Sequence, residues 1–210
     1  MNKKFLGYMA SLILIVGCTK SKKENTEDTF LGSVDTFTNL NKYKINEKII
    51  NDSIVSIEGT NRNFTIQGNF NKRSNKKIDW WQVVDRKDST NKLKIQYLLF
   101  EEKNIVNQIK SYKKGKIDTL NSKFYLVKSI DDSLKYSFYL PLRKNKIISS
   151  KFYYQIEAKE YIQVCNKRFN HYECFVKNPN DNKVILGVFS EAMENSKHEN
   201  DIDISEIYIE

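Results

Sequence analysis

The sequence has few of the residues that most catalytic and metal-binding sites require. Its 210 residues include only 2 His and 3 Cys, and it contains no HExxH, CxxC, GxSxG or Gly-rich phosphate-binding motif. A catalytic zinc site usually takes three protein ligands, which His171 and His198 cannot supply between them. We therefore expect no metal, no cofactor and no catalytic residues, and we predict that the protein is not an enzyme.

Arginine is also scarce, with 5 Arg beside 30 Lys and a formal net charge of +9. A basic protein can attract nucleic acid, but a nucleic-acid site usually collects arginines and aromatic residues on one stripe. The lysines here are spread along the whole chain. We attribute the charge to a solvated, lysine-rich surface and expect no nucleic-acid partner.

No apolar run in the sequence is long enough to cross a membrane as a helix. The longest, at residues 5–16, has 12 residues, whereas a membrane-spanning helix needs about 20. Lys3 and Lys4 precede this run, and it ends in small residues at Gly17 and Cys18. A basic start, a short apolar core and a small-residue end are typical of a secretory signal peptide.

The end of that run, Ile-Val-Gly-Cys at residues 15–18, resembles the bacterial lipobox. With its excess of Lys, Asn and Ile, the chain resembles lipoproteins of Bacteroidota. The resemblance implies that residues 1–17 are a signal peptide cut before Cys18. The Cys18 thiol would carry a diacylglycerol and its new amine an acyl chain, and two or more chains attach a protein stably to a membrane. The alternative is an ordinary signal peptide that happens to end at a cysteine.

Residues 19–29 contain no apolar residue. A segment this polar cannot bury enough surface to offset the entropy of ordering it, so we predict that residues 18–33 form a flexible tether. In Bacteroidota lipoproteins, acidic residues just after the acylated cysteine are associated with export to the outer surface. Lys20, Lys22 and Lys23 stand there instead. The resemblance thus implies the periplasmic side of the outer membrane.

The remaining sequence is predicted to be β almost throughout. Leu93, Ile95 and Tyr97 alternate with polar residues, and residues 63–70 and 133–140 show the same period of two, which is typical of half-buried strands. With only 2 Pro and 7 Gly, the turns must rely on Asn and Asp, which tolerate left-handed backbone conformations. We predict an all-β fold of antiparallel sheets. Residues 37–50 are ambiguous, and residues 190–197 could form one or two helical turns.

Two folded parts are expected: a β-meander at residues 34–130 and a small immunoglobulin-like β-sandwich at residues 131–210. Residues 80–85 and 107–118 resemble the variant MORN repeats of Bacteroidota lipoproteins and antitoxin-like proteins. Tyr112 to Lys116 matches the Tyr-x-x-Gly-Lys hairpin of the repeat, whereas Asp79 replaces the Gly that often precedes its tryptophan. The resemblance implies a meandering sheet, and a β-sandwich carries no function by itself.

The adjacent residues Trp80 and Trp81 are the candidate partner-binding site. Consecutive strand residues point to opposite faces, so one ring should enter the core while the other lies on the opposite side. An exposed indole would offer a stacking surface to a sugar or a protein partner. The alternative is that the second ring packs against the neighbouring part or under residues 37–50.

Four Asp-Ser/Thr sites match the pattern at which Bacteroidota attach O-glycans to exported proteins. The glycosylation candidates are Ser53, Ser89, Thr119 and Ser133. The alternative is structural, because Asp-Ser is a common turn opening in which the side chains bond the local backbone.

Cys165 and Cys174 lie on two short apolar runs that read as a hairpin. A two-residue turn at Phe169 and Asn170 would place the cysteines directly opposite each other, which allows a cross-strand disulfide. An exported protein meets an oxidising environment. A register shifted by one residue would instead leave two buried free thiols.

Taken together, these features predict a lipid-anchored envelope protein with a non-catalytic binding or structural role. The membrane is contacted through Cys18, and a protein or glycan partner would bind at Trp80 or Trp81. An immunity-type lipoprotein that neutralises a toxin is the alternative, and an envelope hydrolase is a distant third. The sequence does not determine the oligomeric state.

Overall fold

The computed structural model describes residues 34–100, 103–143, 145–157, 159–177, 185–195 and 201–209. Its fold is all-β, as predicted, with antiparallel sheets of seven, four and four strands. The strands are β1 (Lys44–Ile49), β2 (Ile54–Thr60), β3 (Phe64–Asn71), β4 (Lys76–Asp85), β5 (Lys92–Phe100), β6 (Lys103–Lys113), β7 (Lys116–Ile117), β8 (Phe124–Ile130), β9 (Ser133–Tyr139), β10 (Ile147–Ile156), β11 (Lys159–Val164), β12 (Asn166–Lys167), β13 (His171–Lys177), β14 (Ile185–Glu194) and β15 (Ile202–Ile209). None of the described helices is long and apolar enough to span a membrane.

The seven-stranded sheet is a meander in which each strand from β1 to β7 pairs with the next. Its turns use asparagine, as the shortage of glycine and proline predicts. Asn51, Asn61 and Asn71 each accept two backbone N–H groups of their own turn at 2.8–3.1 Å. An asparagine side chain can thus replace a backbone acceptor and close a hairpin without glycine.

The N-terminal segment covers one face of this sheet. Residues 34–38 are helical, and Leu40–Lys42 form a short 3-10 turn. Val34 is buried in the same apolar cluster as Trp81, Ile95 and Ile109. The Tyr97 hydroxyl donates to Thr38 Oγ1 at 3.2 Å. The sheet therefore has a core-facing side under this segment and a second side that faces away from it.

The second half of the chain is a β-sandwich of two four-stranded sheets, ordered β11-β10-β14-β15 and β12-β13-β9-β8. Aromatic rings from both sheets meet in its core. Phe138 of one sheet stacks on Phe189 of the other with ring centroids 4.4 Å apart, and it contacts Phe152 at 5.1 Å. All three side chains are fully buried.

Strand β8 belongs to this sandwich because it pairs with β9 along its whole length. The expected division at 130/131 therefore falls inside the β8–β9 hairpin, where Asp131 has a φ of 48°. A polar hairpin turn and a linker between two parts have the same composition, so a division predicted from composition falls at this turn. According to the strand pairing, the chain passes from the meander to the sandwich between β7 and β8.

Hydrogen bonds tie the meander to the sandwich. The Asn107 side chain donates to the Tyr208 carbonyl at 2.9 Å and accepts from the Tyr208 N–H at 2.7 Å. Ile109 and Lys123 exchange two backbone hydrogen bonds at 2.6 and 2.8 Å. Asn107 is buried. Its amide supplies the hydrogen-bond partners that the backbone N–H and carbonyl of Tyr208, at a strand edge, would otherwise lack.

Cys165 and Cys174 form a disulfide with their Cα atoms 5.0 Å apart. The pairing of Asn166 with Glu173 puts the two cysteines opposite each other, which is the register expected from a two-residue turn. Cys165 stands between β11 and β12, where the chain passes from one sheet of the sandwich to the other. The bridge therefore fixes the crossing point between the two sheets.

Candidate functional site

The structure separates the two adjacent tryptophans onto opposite faces of the meander. Trp81 is fully buried under the N-terminal segment, whereas 39% of Trp80 is exposed. Trp80 pairs with Gln96 of β5, and Trp81 pairs with Ile95. Of the two predicted site residues, only Trp80 is thus available to a partner, and Trp81 belongs to the core.

A bulge in β4 explains how Trp81 enters the core. Gln67 pairs with Gln82 and Asn69 with Ile78, so three residues of β4 oppose the single residue Gly68. A Cβ atom at position 68 would lie 2.3 Å from the Trp81 ring. The indole therefore occupies the space that a side chain on β3 would fill.

Backbone carbonyls around this bulge also accept hydrogen bonds from the N–H of the buried indole. Trp81 Nε1 donates to the carbonyls of Asn69 at 3.0 Å and Ile78 at 3.2 Å. Asp79, the residue before Trp80 in the bulge, has a φ of 58°. This left-handed conformation is one that glycine adopts without strain and that aspartate tolerates.

Trp80 lies in an open groove of about 590 Å³ on the outer face of the meander. Apart from the two tryptophans and Gly68, the groove is lined by polar side chains that reach it from β2 through β6. They are Ser56, Glu58, Gln67, Asn69, Gln82, Lys94, Lys110 and Tyr112. We call this surface the Trp80 groove; its size is typical of small-ligand sites.

The charge of the groove is slightly positive. Lys110 Nζ lies 5.0 Å from the centre of the Trp80 ring, within the range of a cation–π interaction. Burial lowers the pKa of Lys110, and the neighbouring charge of Lys94 lowers it further. Glu58 is the single carboxylate of the groove lining.

The chemistry that this arrangement offers is recognition. The indole presents an apolar ring for stacking, and amide side chains such as Gln67 and Gln82 both donate and accept hydrogen bonds. The groove lining contains no His or Cys that could act as a nucleophile or base. The alternation of apolar and polar residues in β2 to β5 predicts the polar residues of the groove. The groove itself depends on the bulge in β4, which no sequence pattern predicts.

A second charged cluster lies in the sandwich around Glu173. Its carboxylate forms an ion pair with Lys135, accepts from Arg168 Nε at 2.9 Å and lies 3.2 Å from His171 Nε2. The hydrogen bonds from Lys135, Arg168 and His171 hold the pKa of Glu173 at about 2. A carboxylate this acidic is a poor general base at neutral pH, so we interpret the cluster as structural.

The other predicted site residues are spread over the molecule. Cys18 lies outside the described residues. Ser53 and Ser89 are in turns, Thr119 starts a 3-10 turn, and Ser133 begins β9. Ser89 is exposed whereas the other three are half-buried, and Thr119 Oγ1 accepts from Asn170 Nδ2 at 2.8 Å.

Within the described part of the chain, no group of three or more His, Cys, Asp or Glu side chains is arranged to hold a metal ion. The chain matches no protein-family model, and a search of curated proteins finds no significant match.

Proposed function

We propose that this protein is a lipid-anchored, non-catalytic binding protein of the bacterial cell envelope. Cys18 would hold it on the periplasmic side of the outer membrane, and residues 18–33 would let the folded part stand clear of the lipid. The proposal for the anchor rests on the lipobox resemblance at residues 15–18.

The observation that supports a binding role is the exposed Trp80 in a polar groove. A large aromatic ring left on the surface and surrounded by hydrogen-bonding side chains is typical of a binding hot spot. The buried Trp81 anchors the same strand in the core, so Trp80 is presented from a rigid sheet rather than from a loop. A rigid anchor loses little conformational entropy when a partner binds.

The second candidate is an immunity-type lipoprotein that neutralises a toxin. It is favoured by the hairpin at Tyr112 to Lys116, where Lys114 and Gly115 have φ values of 51° and 76°. A two-residue turn of this kind is what the antitoxin-like repeat implies at that position. In this case the toxin would be the partner bound by the Trp80 groove.

A pull-down from envelope extract tests the binding role. The bait is the soluble fragment 24–210, which contains every described residue, beside a Trp80→Ala variant. Phe169→Ala is the matched control, because Phe169 is 85% exposed and lies on the sandwich. We expect a specific partner with the parent fragment and with Phe169→Ala, and its loss with Trp80→Ala.

Two results would count against the proposal. Recovery of no specific partner by the parent fragment would remove the binding role. Equal recovery by all three proteins would keep binding but reject Trp80 as its anchor. Near-UV circular dichroism of each variant would show that the folded core is retained.

A further inference from the structure

Five polar side chains form one row across the Trp80 groove. All five line the groove, and each lies directly opposite the next. In strand order from β2 to β6 they are Glu58, Gln67, Gln82, Lys94 and Lys110. Adjacent strands lie about 4.8 Å apart, so the row extends for about 19 Å. A linear ligand laid across the strands would meet a polar side chain at each of them.

The row contains hydrogen-bonding groups that have no partner in the described part of the protein. Among the described residues, the side chains of Glu58, Gln67 and Gln82 make no hydrogen bond and no ion pair. An amide side chain both donates and accepts, so Gln67 and Gln82 can each bind a hydroxyl group in either role. Such groups suit a ligand that is rich in hydroxyls.

Trp80 supplies the apolar part of the groove. It is the only exposed large apolar side chain among the lining residues. A protein interface usually has an apolar core that is depleted of charged residues, and a single indole among amides and lysines does not provide one. The lining instead matches a sugar ring, which has an apolar C–H face and a polar edge of hydroxyl groups.

The Lys94 end of the row is positive and has no counter-charge beside it. Lys94 and Lys110 lie directly opposite each other on β5 and β6, and like charges in that position destabilise a sheet. The side chains around Lys94 on this face come from residues 80–84, 92–96 and 108–112, and none of these residues is acidic. Glu58 is three strands away from Lys94, at about 14 Å.

Asp79 is the acidic residue next to Trp80 in the chain, but its side chain is directed away from Lys94. Its Oδ2 accepts from Asn69 Nδ2 at 3.3 Å, and β3, which carries Asn69, lies on the opposite side of β4 from Lys94. Burial and the charge of Lys94 both lower the pKa of Lys110, as expected for a lysine without a carboxylate partner. An anionic group on a ligand would therefore relieve the repulsion between the two lysines.

We propose that the Trp80 groove binds an acidic saccharide, a chain of sugar rings in which at least one ring carries a carboxylate. This inference rests on the binding role proposed above and specifies its ligand. The C–H face of one ring would stack on Trp80, and hydroxyl groups at the ring edge would bond to Gln67 and Gln82. The carboxylate would lie between the ammonium groups of Lys94 and Lys110.

The position of Lys110 brings the stacking surface and the positive charge together. Lys110 Nζ lies 5.0 Å from the centre of the Trp80 ring, so a carboxylate on the stacked sugar would be within reach of it. With Lys110 in this position, 39% of Trp80 remains exposed. The indole can therefore contact a ligand without displacement of the lysine.

A nucleotide, which also combines a flat ring with an anion, fits the groove less well. Phosphate sites usually use arginine, or the N–H groups at a helix start or in a glycine-rich loop. The groove lining contains no arginine, and its single glycine, Gly68, lies under the Trp81 ring. The available cations are two lysines on a sheet face, which suit a carboxylate.

Calorimetric titration of the fragment 24–210 with uronic acid trimers tests the proposal. The probes are the trimers of galacturonate, glucuronate and mannuronate, each beside its methyl ester, which keeps the rings and removes the charge. We expect saturable binding of at least one acidic trimer, with one trimer per chain. Its ester should bind at least about fivefold more weakly, and uridine monophosphate should bind no more tightly than the ester.

Variants separate stacking, hydroxyl recognition and charge. Trp80→Ala should weaken both the acid and the ester by about 30-fold. Gln82→Leu should weaken both by the same factor, about two- to tenfold. Lys94→Gln should weaken the acid by about two- to fivefold and leave the ester unchanged. Lys128→Gln is the matched control, because Lys128 is exposed on β8 and does not line the groove; it should change neither.

Four results would overturn the proposal. They are no saturable binding of any acidic trimer, equal binding of acid and ester, binding of uridine monophosphate as tight as that of the best trimer, and an equal loss for acid and ester in Lys94→Gln. Trimer binding that survives in a folded Trp80→Ala variant would also reject the groove as the saccharide site.

The pull-down described above distinguishes this proposal from the binding role itself. A partner captured through Trp80 from envelope extract, together with no binding of any trimer, would keep the binding role and reject the acidic saccharide. No captured partner and no trimer binding would reject both.

Discussion

The close contact between Gly68 and Trp81 leads to a prediction about stability. In Gly68→Ala the added Cβ would lie 2.3 Å from the indole, so the ring or the β3 backbone must move. Overpacking of a buried site costs about 1–3 kcal/mol. Loss of the hydrogen bonds from Trp81 Nε1 adds about 1 kcal/mol. We therefore expect the free energy of unfolding to fall by about 2–4 kcal/mol.

Urea unfolding followed by tryptophan fluorescence measures this loss in the fragment 24–210. The 2 Trp of the chain both lie in β4, so the signal reports on the meander alone. Gly115→Ala is the control: Gly115 has a φ of 76° and no atom within 4 Å of its Cβ position. That change costs only backbone strain, about 1 kcal/mol. If Gly68→Ala costs no more than Gly115→Ala, the packing of Trp81 over Gly68 is refuted.

Four further predictions concern the sandwich, the link between the two parts and the surface. Replacing both Cys165 and Cys174 by Ala should lower the free energy of unfolding by about 2–3 kcal/mol, measured by circular dichroism in urea, and an unchanged midpoint would contradict it. The pKa of Glu173 is held at about 2, below its usual 4.5, so the stability that its carboxylate contributes is present above pH 4.5 and is lost as the pH falls towards 2. Glu173→Gln should reduce the dependence of the free energy of unfolding on pH in this range. An unchanged dependence would count against the ion cluster. Burial lowers the pKa of Lys123 to about 8 from 10.5, so stability should rise as the pH increases from 8 to 10.5, and Lys123→Met should abolish the rise. Among the four glycosylation candidates, Ser89 is the exposed one, so a hexose-containing peptide from the native organism should map there first; a polypeptide mass with only its acyl chains would exclude modification.

Much of the fold could be predicted from the alternation of apolar and polar residues. A period of two identifies strands, and the asparagine turns follow from the lack of glycine. The hairpin register also follows from local spacing, which is why the opposed positions of Cys165 and Cys174 could be inferred. These features depend on neighbours in the sequence.

Features that depend on distant contacts could not be predicted. Residues 190–194 were open to a helical interpretation, yet they belong to β14 because β10 and β15 pair with them on both sides. Sheet pairing of this kind overrides the local helix propensity of Glu, Ala and Met. The change of sheet before β8 is likewise set by pairing rather than by composition.

The candidate site was predicted in part. Alternation predicts that Trp80 and Trp81 face opposite ways, but it does not say which one is buried. Gly68 determines that Trp81 is the buried tryptophan, because only a residue without a side chain leaves space for its ring.

The affinity of the Trp80→Ala variant for a partner captured by the parent fragment tests the central claim most directly. Truncation of a hot-spot tryptophan costs about 2 kcal/mol or more of binding free energy, which is roughly a 30-fold rise in Kd. We predict this rise for Trp80→Ala and a change below about twofold for Phe169→Ala. A Trp80→Ala protein that is folded and binds within about twofold of the parent would contradict the claim that the Trp80 groove is the binding site.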